Sequence, residues 1–116
     1  MQNNQTYLGF SQIMDLVGDR ILRGQYEANA RIPSVREMAV ELEVSPQTVV
    51  RAYERLTRLE IIYTQRGLGF FVSNDAVAIL RKDRTERLYS ELLPSLSKEL
   101  ELLGLDAEVV VTYFGK

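Results

Sequence analysis

The chain has 116 residues, 46% hydrophobic and 26% charged, the composition of an ordered globular protein with room for one compact domain and an appendage. It contains no cysteine and no histidine, which removes disulfides, thiolate metal sites and the usual general base, so catalysis is a poor expectation. The formal charge of -2 hides its distribution: residues 1–74 carry eight Arg, no Lys and eight acids, whereas residues 75–116 carry six basic and eight acidic residues and hold the whole acidic excess.

The start, MQNNQTYLGF, lacks the basic flank and long apolar run of a secretory signal, and no stretch approaches the roughly 18 apolar residues of a membrane span. The expectation is a cytoplasmic protein without membrane contact. Residues 1–7 are polar and expected to be loose. From Phe10 the apolar positions Phe10, Ile13, Met14, Val17 and Ile21 recur at helical spacing, and Gly24 supplies a left-handed stop. They predict the first helix.

In IPSVREMAVEL, Pro33 biases Ile32 toward an extended conformation, and Ser34 with Glu37 has the spacing of a capping box. The second helix therefore starts here, buries Met38, Ala39 and Leu42, and ends near Glu43. Only Glu43 and Val44 separate Leu42 from Ser45, which can cap a third helix with Pro46 at its first position, where a missing N–H costs nothing. Two helices with so short a joint make a helix-turn-helix, and the third helix runs to about Leu59. Next, IIYTQ and FFVS are β-rich runs separated by Arg66-Gly67-Leu68-Gly69, whose glycines allow the positive φ of a tight reversal.

Three helices and a hairpin form the winged helix-turn-helix order, and no strand signal follows Asn74. Asp75 is a possible cap for the next helix, which passes through RKDRTER; beyond it Tyr89, Leu93, Leu96, Leu100 and Leu103 form a coiled-coil-like seam. Pro94 lies inside that seam, so either one helix kinks there or a second helix starts there. Gly104 ends the segment, and Asp106 can cap a last helix holding Val109, Val110, Tyr113 and Phe114. The expected fold class is mainly α with a small β-hairpin: a winged helix-turn-helix domain over 1–74 and a short helical dimerisation domain over 75–116.

At 100° per residue, Val49, Ala52, Tyr53, Leu56 and Leu59 fall on one side of the third helix, leaving Gln47, Thr48, Val50, Arg51, Glu54, Arg55 and Arg58 toward solvent. In helix-turn-helix proteins the first turns of this helix enter the major groove of double-stranded DNA, where Gln pairs with adenine and Arg with guanine. Gln47, Thr48 and Arg51 are placed for that, with Arg55 adding charge. The competing interpretation is a capped, solvated face with Glu54 as internal partner. The joint occurrence of a two-residue turn, a Ser-Pro start and a following hairpin favours DNA. Arg36 and the Ser34 hydroxyl can reach phosphate, against a surface ion pair of Arg36 with Glu37 or Glu41; Arg66 and Gly67 form the wing tip, where backbone can approach the duplex closely.

The run RIPSVREMAVELEVSPQTVVRAYERLTRLEIIYTQRGLGFFV resembles the DNA-binding domain of the GntR family of bacterial transcription regulators, over roughly residues 8–73. The Ser-Pro-Gln-Thr-Val start with Arg51-Ala52-Tyr53 and the short tail are most similar to the YtrA subfamily. The resemblance implies a short helical dimerisation domain and, often, regulation of an ABC-transporter operon; a homodimer joined by the C-terminal helices would present two recognition helices to a near-palindromic operator, and repression by operator occupancy is the expected mechanism. Carried over by position, the family's DNA contacts fall on Ser34, Arg36, Ser45, Gln47, Thr48, Arg51, Arg66 and Gly67. The sequence departs from the family pattern in three places. Glu27 to Ala30 replace a usual Pro-Gly, Glu60 stands where the third helix usually ends with Gly, and Leu68 occupies a wing position where a basic residue is common.

A 42-residue tail is too short to bury its seam well alone; it either folds back on the first helix or, as expected here, meets a two-fold partner. Two other functions compete with this one. A winged helix can serve as a protein-interaction module, but only Val50 is apolar on the outer face of the third helix. An enzyme related to the pyridoxal-phosphate fusion regulators would need a large fold that this tail does not supply. No cofactor or metal is expected, and the sequence does not reveal a small-molecule effector.

Overall fold

A computed structural model of the chain describes residues 8–115, so the polar start at residues 1–7, expected to be loose, lies outside the described residues. The chain divides into two compact units, one extending to Leu80 and one beginning at Arg81.

In the first unit, α1 spans Phe10–Leu22, α2 Val35–Leu42 and α3 Pro46–Arg58, followed by β1 (Ile62–Gln65) and β2 (Gly69–Val72) and by α4 (Ala76–Arg87), which runs on into the second unit. The predicted caps of α2 and α3 form. The Ser34 hydroxyl accepts from the Glu37 amide at 3.1 Å while the Ser34 amide donates to the Glu37 carboxylate at 2.8 Å, closing the capping box of α2. Ser45 caps α3 through the Thr48 amide at 3.3 Å, with Pro46 at the first helical position.

Three helices of this unit close in the same way. The amides of Gln25, Val44 and Ile61 each reach back to a carbonyl of the last turn, on Arg20, Ala39 and Leu56, over left-handed residues at Gly24, Glu43 and Glu60. Glycine suits that conformation, with φ +84° at Gly24, but Glu60 adopts it as well, with φ 65°. The left-handed close of α3 thus forms at Glu60 without a glycine.

β1 and β2 pair antiparallel, with Ile62 opposite Val72 and Gln65 opposite Gly69, so the reversal consists of Arg66, Gly67 and Leu68. A third segment joins them that no local pattern in the chain announces. Asn29 and Ile32 donate amides to the Val72 and Phe70 carbonyls at 2.7 and 2.9 Å, and Val72 donates to Ala30 at 3.0 Å. The segment that replaces the family's Pro-Gly is thus laced along the free edge of β2, which protects that edge.

The core is continuous through this unit: Ile13, Val17 and Ile21 of α1, Met38 and Ala39 of α2, Val49, Ala52, Tyr53 and Leu56 of α3, Ile62 and Val72 of the hairpin, and Ala76 and Leu80 of α4. Leu42 is only partly buried, and Leu59, expected on the buried face, is 48% exposed because it is already the C-cap residue beyond the last helical turn.

In the second unit the helical backbone passes through a π-helical turn, Leu88–Leu92, into α5 (Leu93–Leu103), followed by α6 (Glu108–Phe114). Pro94 occupies the first turn of α5. Proline has no N–H and its ring crowds the carbonyl four residues back, and a widened turn accommodates both. Gly104 closes α5 at φ 71°, and the Asp106 carboxylate accepts from the Glu108 amide at 2.9 Å at the start of α6. Neither α5 nor α6 has a buried residue.

Candidate nucleic-acid interface

The site begins with the orientation of α3. Its buried stripe of Val49, Ala52, Tyr53 and Leu56 is held by α1 and α2, so the helix cannot rotate about its axis without exposing apolar surface. Two further polar links fasten α2. The Tyr53 hydroxyl donates to the Pro33 carbonyl at 2.7 Å, and Arg20 of α1 donates to the Tyr26 hydroxyl at 2.6 Å and forms an ion pair with Glu41 of α2. The outer surface then presents Gln47, Arg51, Glu54, Arg55 and Arg58 as exposed side chains, with Thr48 and Val50 half-buried among them.

The predicted residues do not all stand equally free. Ser45 and Thr48 face each other, their hydroxyls 3.0 Å apart, and Ser45 also accepts the Thr48 amide. The Ser34 hydroxyl is engaged in its capping box. The Ser34 amide donated to the Glu37 carboxylate holds that carboxyl below its usual range. Arg36 is exposed in the first turn of α2. The carboxylates that were alternative partners for it are used elsewhere: Glu41 pairs with Arg20, and Glu37 lies 3.8 Å from Arg31. Among the described residues no ion pair involves Arg36, Arg51, Arg55, Arg58 or Arg66. These five guanidiniums carry charge that the described chain does not neutralise.

At the wing, Arg66, Gly67 and Leu68 are exposed, Gly67 at φ 76°. Sequence reasoning missed what supports them. The Arg31 Nε donates to the Leu68 carbonyl at 3.2 Å, and a Cβ placed on Gly69 would come within 3.0 Å of that same nitrogen. Arg31 thus connects the wing tip to the Glu37 end of α2. Phe10 was also missed as more than a core residue: the Arg51 and Arg55 guanidinium carbons lie 4.2 and 4.8 Å from its ring centroid. Both links join residues distant in sequence, and no local pattern announces them.

A core-locked helix with a Ser-Pro start, a two-residue joint to the helix before it and an edge-protected hairpin after it define a winged helix-turn-helix protein. Residues 10–72 match the profile described as "Bacterial regulatory proteins, gntR family". The chain is 31% identical over 99 residues to the HTH-type transcriptional repressor YtrA of Bacillus subtilis, covering 85% of this chain and 75% of YtrA. Its fold is similar to that of a GntR family transcriptional regulator from Listeria monocytogenes, with a TM-score of 0.73 and 34% identity over 91% of each chain. It is also similar to the AraR DNA-binding domain in complex with operator ORR3, with a TM-score of 0.53 and 25% identity over 55% of this chain and 77% of that one. The chain belongs to the GntR family of bacterial regulatory proteins.

Proposed function

We propose that this regulator is a sequence-specific DNA-binding repressor that acts as a homodimer on a near-palindromic operator, in the cytoplasm. The observation that carries the reading is the outward face of α3, where Gln47 and Arg51 stand exposed on a helix locked by its buried stripe. A helix so held can enter a major groove with its amino-terminal turns on base edges, Gln47 pairing with adenine and Arg51 with guanine. Thr48 and Ser45 border that end. Arg36, Arg55 and Arg66 supply phosphate contacts, with the Ser34 turn and the Gly67 backbone close to the sugar-phosphate chain.

The division of labour is DNA binding in 1–74 and dimerisation in the tail 75–116, whose first turn and a half also packs Ala76 and Leu80 into the core of the first unit. Tyr89, Leu93, Leu96 and Leu103 are between 40% and 68% exposed, and a seam of this kind is stabilised when a two-fold partner covers it, together with the half-buried Leu100. The dimer presents two recognition helices to half-sites about 10 base pairs apart, or a multiple of that. YtrA is a repressor and the AraR domain holds an operator, which supports repression by operator occupancy for this chain; the resemblance to the YtrA subfamily points to an ABC-transporter operon. A gel shift with duplexes from the protein's own upstream region tests the reading: a discrete complex that survives competitor DNA supports it, and binding no stronger than to competitor contradicts it.

A further inference from the structure

We infer that Phe10 is a positioning residue for DNA recognition: its ring is the platform that holds Arg51 and Arg55 side by side before DNA arrives. The inference rests on the DNA-binding reading above and adds to it a residue outside the helix-turn-helix and the wing.

Arg51 and Arg55 are four residues apart on α3, so their side chains are neighbours on one face and their like charges repel. Long arginines in that situation normally spread into solvent or find carboxylates. Here neither takes a carboxylate among the described residues, not even Glu54, which lies between them in the sequence. Both guanidiniums instead converge on one aromatic ring, at 4.2 and 4.8 Å from its centroid. These distances are inside the roughly 6 Å over which a ring quadrupole attracts a cation.

The ring itself is not free to follow them. Phe10 is the first residue of α1, half-buried against the core, and the chain entering α1 is fixed by the Gly9 amide donating to the Gln12 side chain at 2.6 Å. α1 packs on α3 through that core. The platform is therefore anchored to the core that α1 shares with α3, while the two side chains it carries are among the most flexible in proteins. Ordering long side chains on binding is costly, and a surface that orders them beforehand removes much of that cost. The ring changes no charge, so its contribution is separable from the electrostatic one: without it, affinity falls while the number of cations available to phosphate stays the same.

The test compares Phe10→Leu, which keeps an apolar residue but removes the ring, with Phe10→Tyr, which keeps the ring. In DNA-free protein, the side-chain methylene protons of Arg51 and Arg55 are expected to be shifted upfield by ring current in NMR spectra of the wild type and of Phe10→Tyr, and to return to ordinary positions in Phe10→Leu. Absence of the shift in the wild type overturns the inference. Affinity is then measured for the tightest duplex that the wild-type protein recovers from a random pool. Phe10→Leu is expected to bind about tenfold more weakly with an unchanged salt slope, Phe10→Tyr about as tightly as wild type, and Phe10→Leu to have no further effect when Arg51 and Arg55 are already alanine. Undiminished binding by Phe10→Leu, or the same loss in the double-alanine background, overturns the inference, since a residue that merely packs would act without the arginines. Circular dichroism melts of each variant identify any loss caused by unfolding, and Phe10→Tyr then decides the question through its NMR shifts and affinity. A wild-type protein that binds no DNA sinks the DNA-binding reading instead, while the NMR comparison still decides whether the ring holds the guanidiniums.

Discussion

The Tyr53 hydroxyl donates a 2.7 Å hydrogen bond to the Pro33 carbonyl, joining the middle of α3 to the residue just before the cap of α2. The ring is 1% exposed and meets Phe70 of the wing edge-on, with centroids 4.9 Å apart. One side chain therefore touches all three parts of the DNA-binding architecture. Tyr53→Phe keeps the ring and removes the donor, so it is expected to cost about 1 kcal/mol in urea unfolding. An unchanged midpoint would show that the bond adds nothing.

The same tyrosine gives the protein an alkaline limit. Burial, the largest cause, pushes the Tyr53 phenol well above its ordinary value near 10. Above about pH 10 the unfolded chain loses this proton while the folded chain keeps it, so the folded state binds more protons and stability falls as pH rises. Below that point the group makes no pH-dependent difference. Unfolding midpoints measured from pH 8 to 11 are expected to be flat and then to drop, with a smaller drop in Tyr53→Phe.

Glu60 offers a gain. It holds a left-handed φ of 65° at the close of α3, where its side chain is exposed, so Glu60→Gly removes backbone strain without removing a packed group. The expected effect is a stabilisation of about 1 kcal/mol, seen as a higher urea midpoint with an unchanged slope. A lower midpoint would place a needed contact on the Glu60 side chain.

Much of this fold was legible because its signals are local. Ser34 with Glu37, and Ser45 with Pro46, mark helix starts within four residues of sequence, and Gly67 and Gly69 mark the reversal between two β-rich runs. The Asp106 cap was readable for the same reason. What escaped involved partners far apart in the chain. The edge pairing of residues 29–32 with β2 uses backbone groups that any residue possesses, and the Arg31 strut and the Phe10 platform depend on where separate elements meet. Leu59 was misplaced because helical periodicity was carried past the end of the helix. At Pro94 the sequence allowed a kink or a new helix, and a widened turn before it let the helical path continue. For the interface, the outward residues of α3 were predictable from periodicity, whereas the pairing of Ser45 with Thr48 and the engagement of Glu41 with Arg20 and of Glu37 with Arg31, and not with Arg36, were not.

The dimer reading makes a prediction at Leu96, which is 40% exposed on α5. The wild-type protein is expected to sediment as a dimer at micromolar concentration, and Leu96→Glu to shift it to monomer, because a charge in a covered apolar seam is unpaired and desolvated. An unchanged mass distribution would remove this seam from the interface.

Base and phosphate contacts separate by their response to salt. Arg51→Ala is expected to weaken binding to the preferred duplex by about 1 to 3 kcal/mol and to flatten sequence preference, and Arg36→Ala to weaken all duplexes similarly while lowering the salt slope by about one unit. Equal loss of preference from both would mean that their roles are misassigned.

Whether α3 reads base sequence is tested by selecting duplexes from a random pool with the wild-type protein at moderate salt. A base-reading α3 in a dimer is expected to enrich a near-palindrome whose half-sites are about 10 base pairs apart, or a multiple of that. A pool that emerges without any preferred sequence would contradict it.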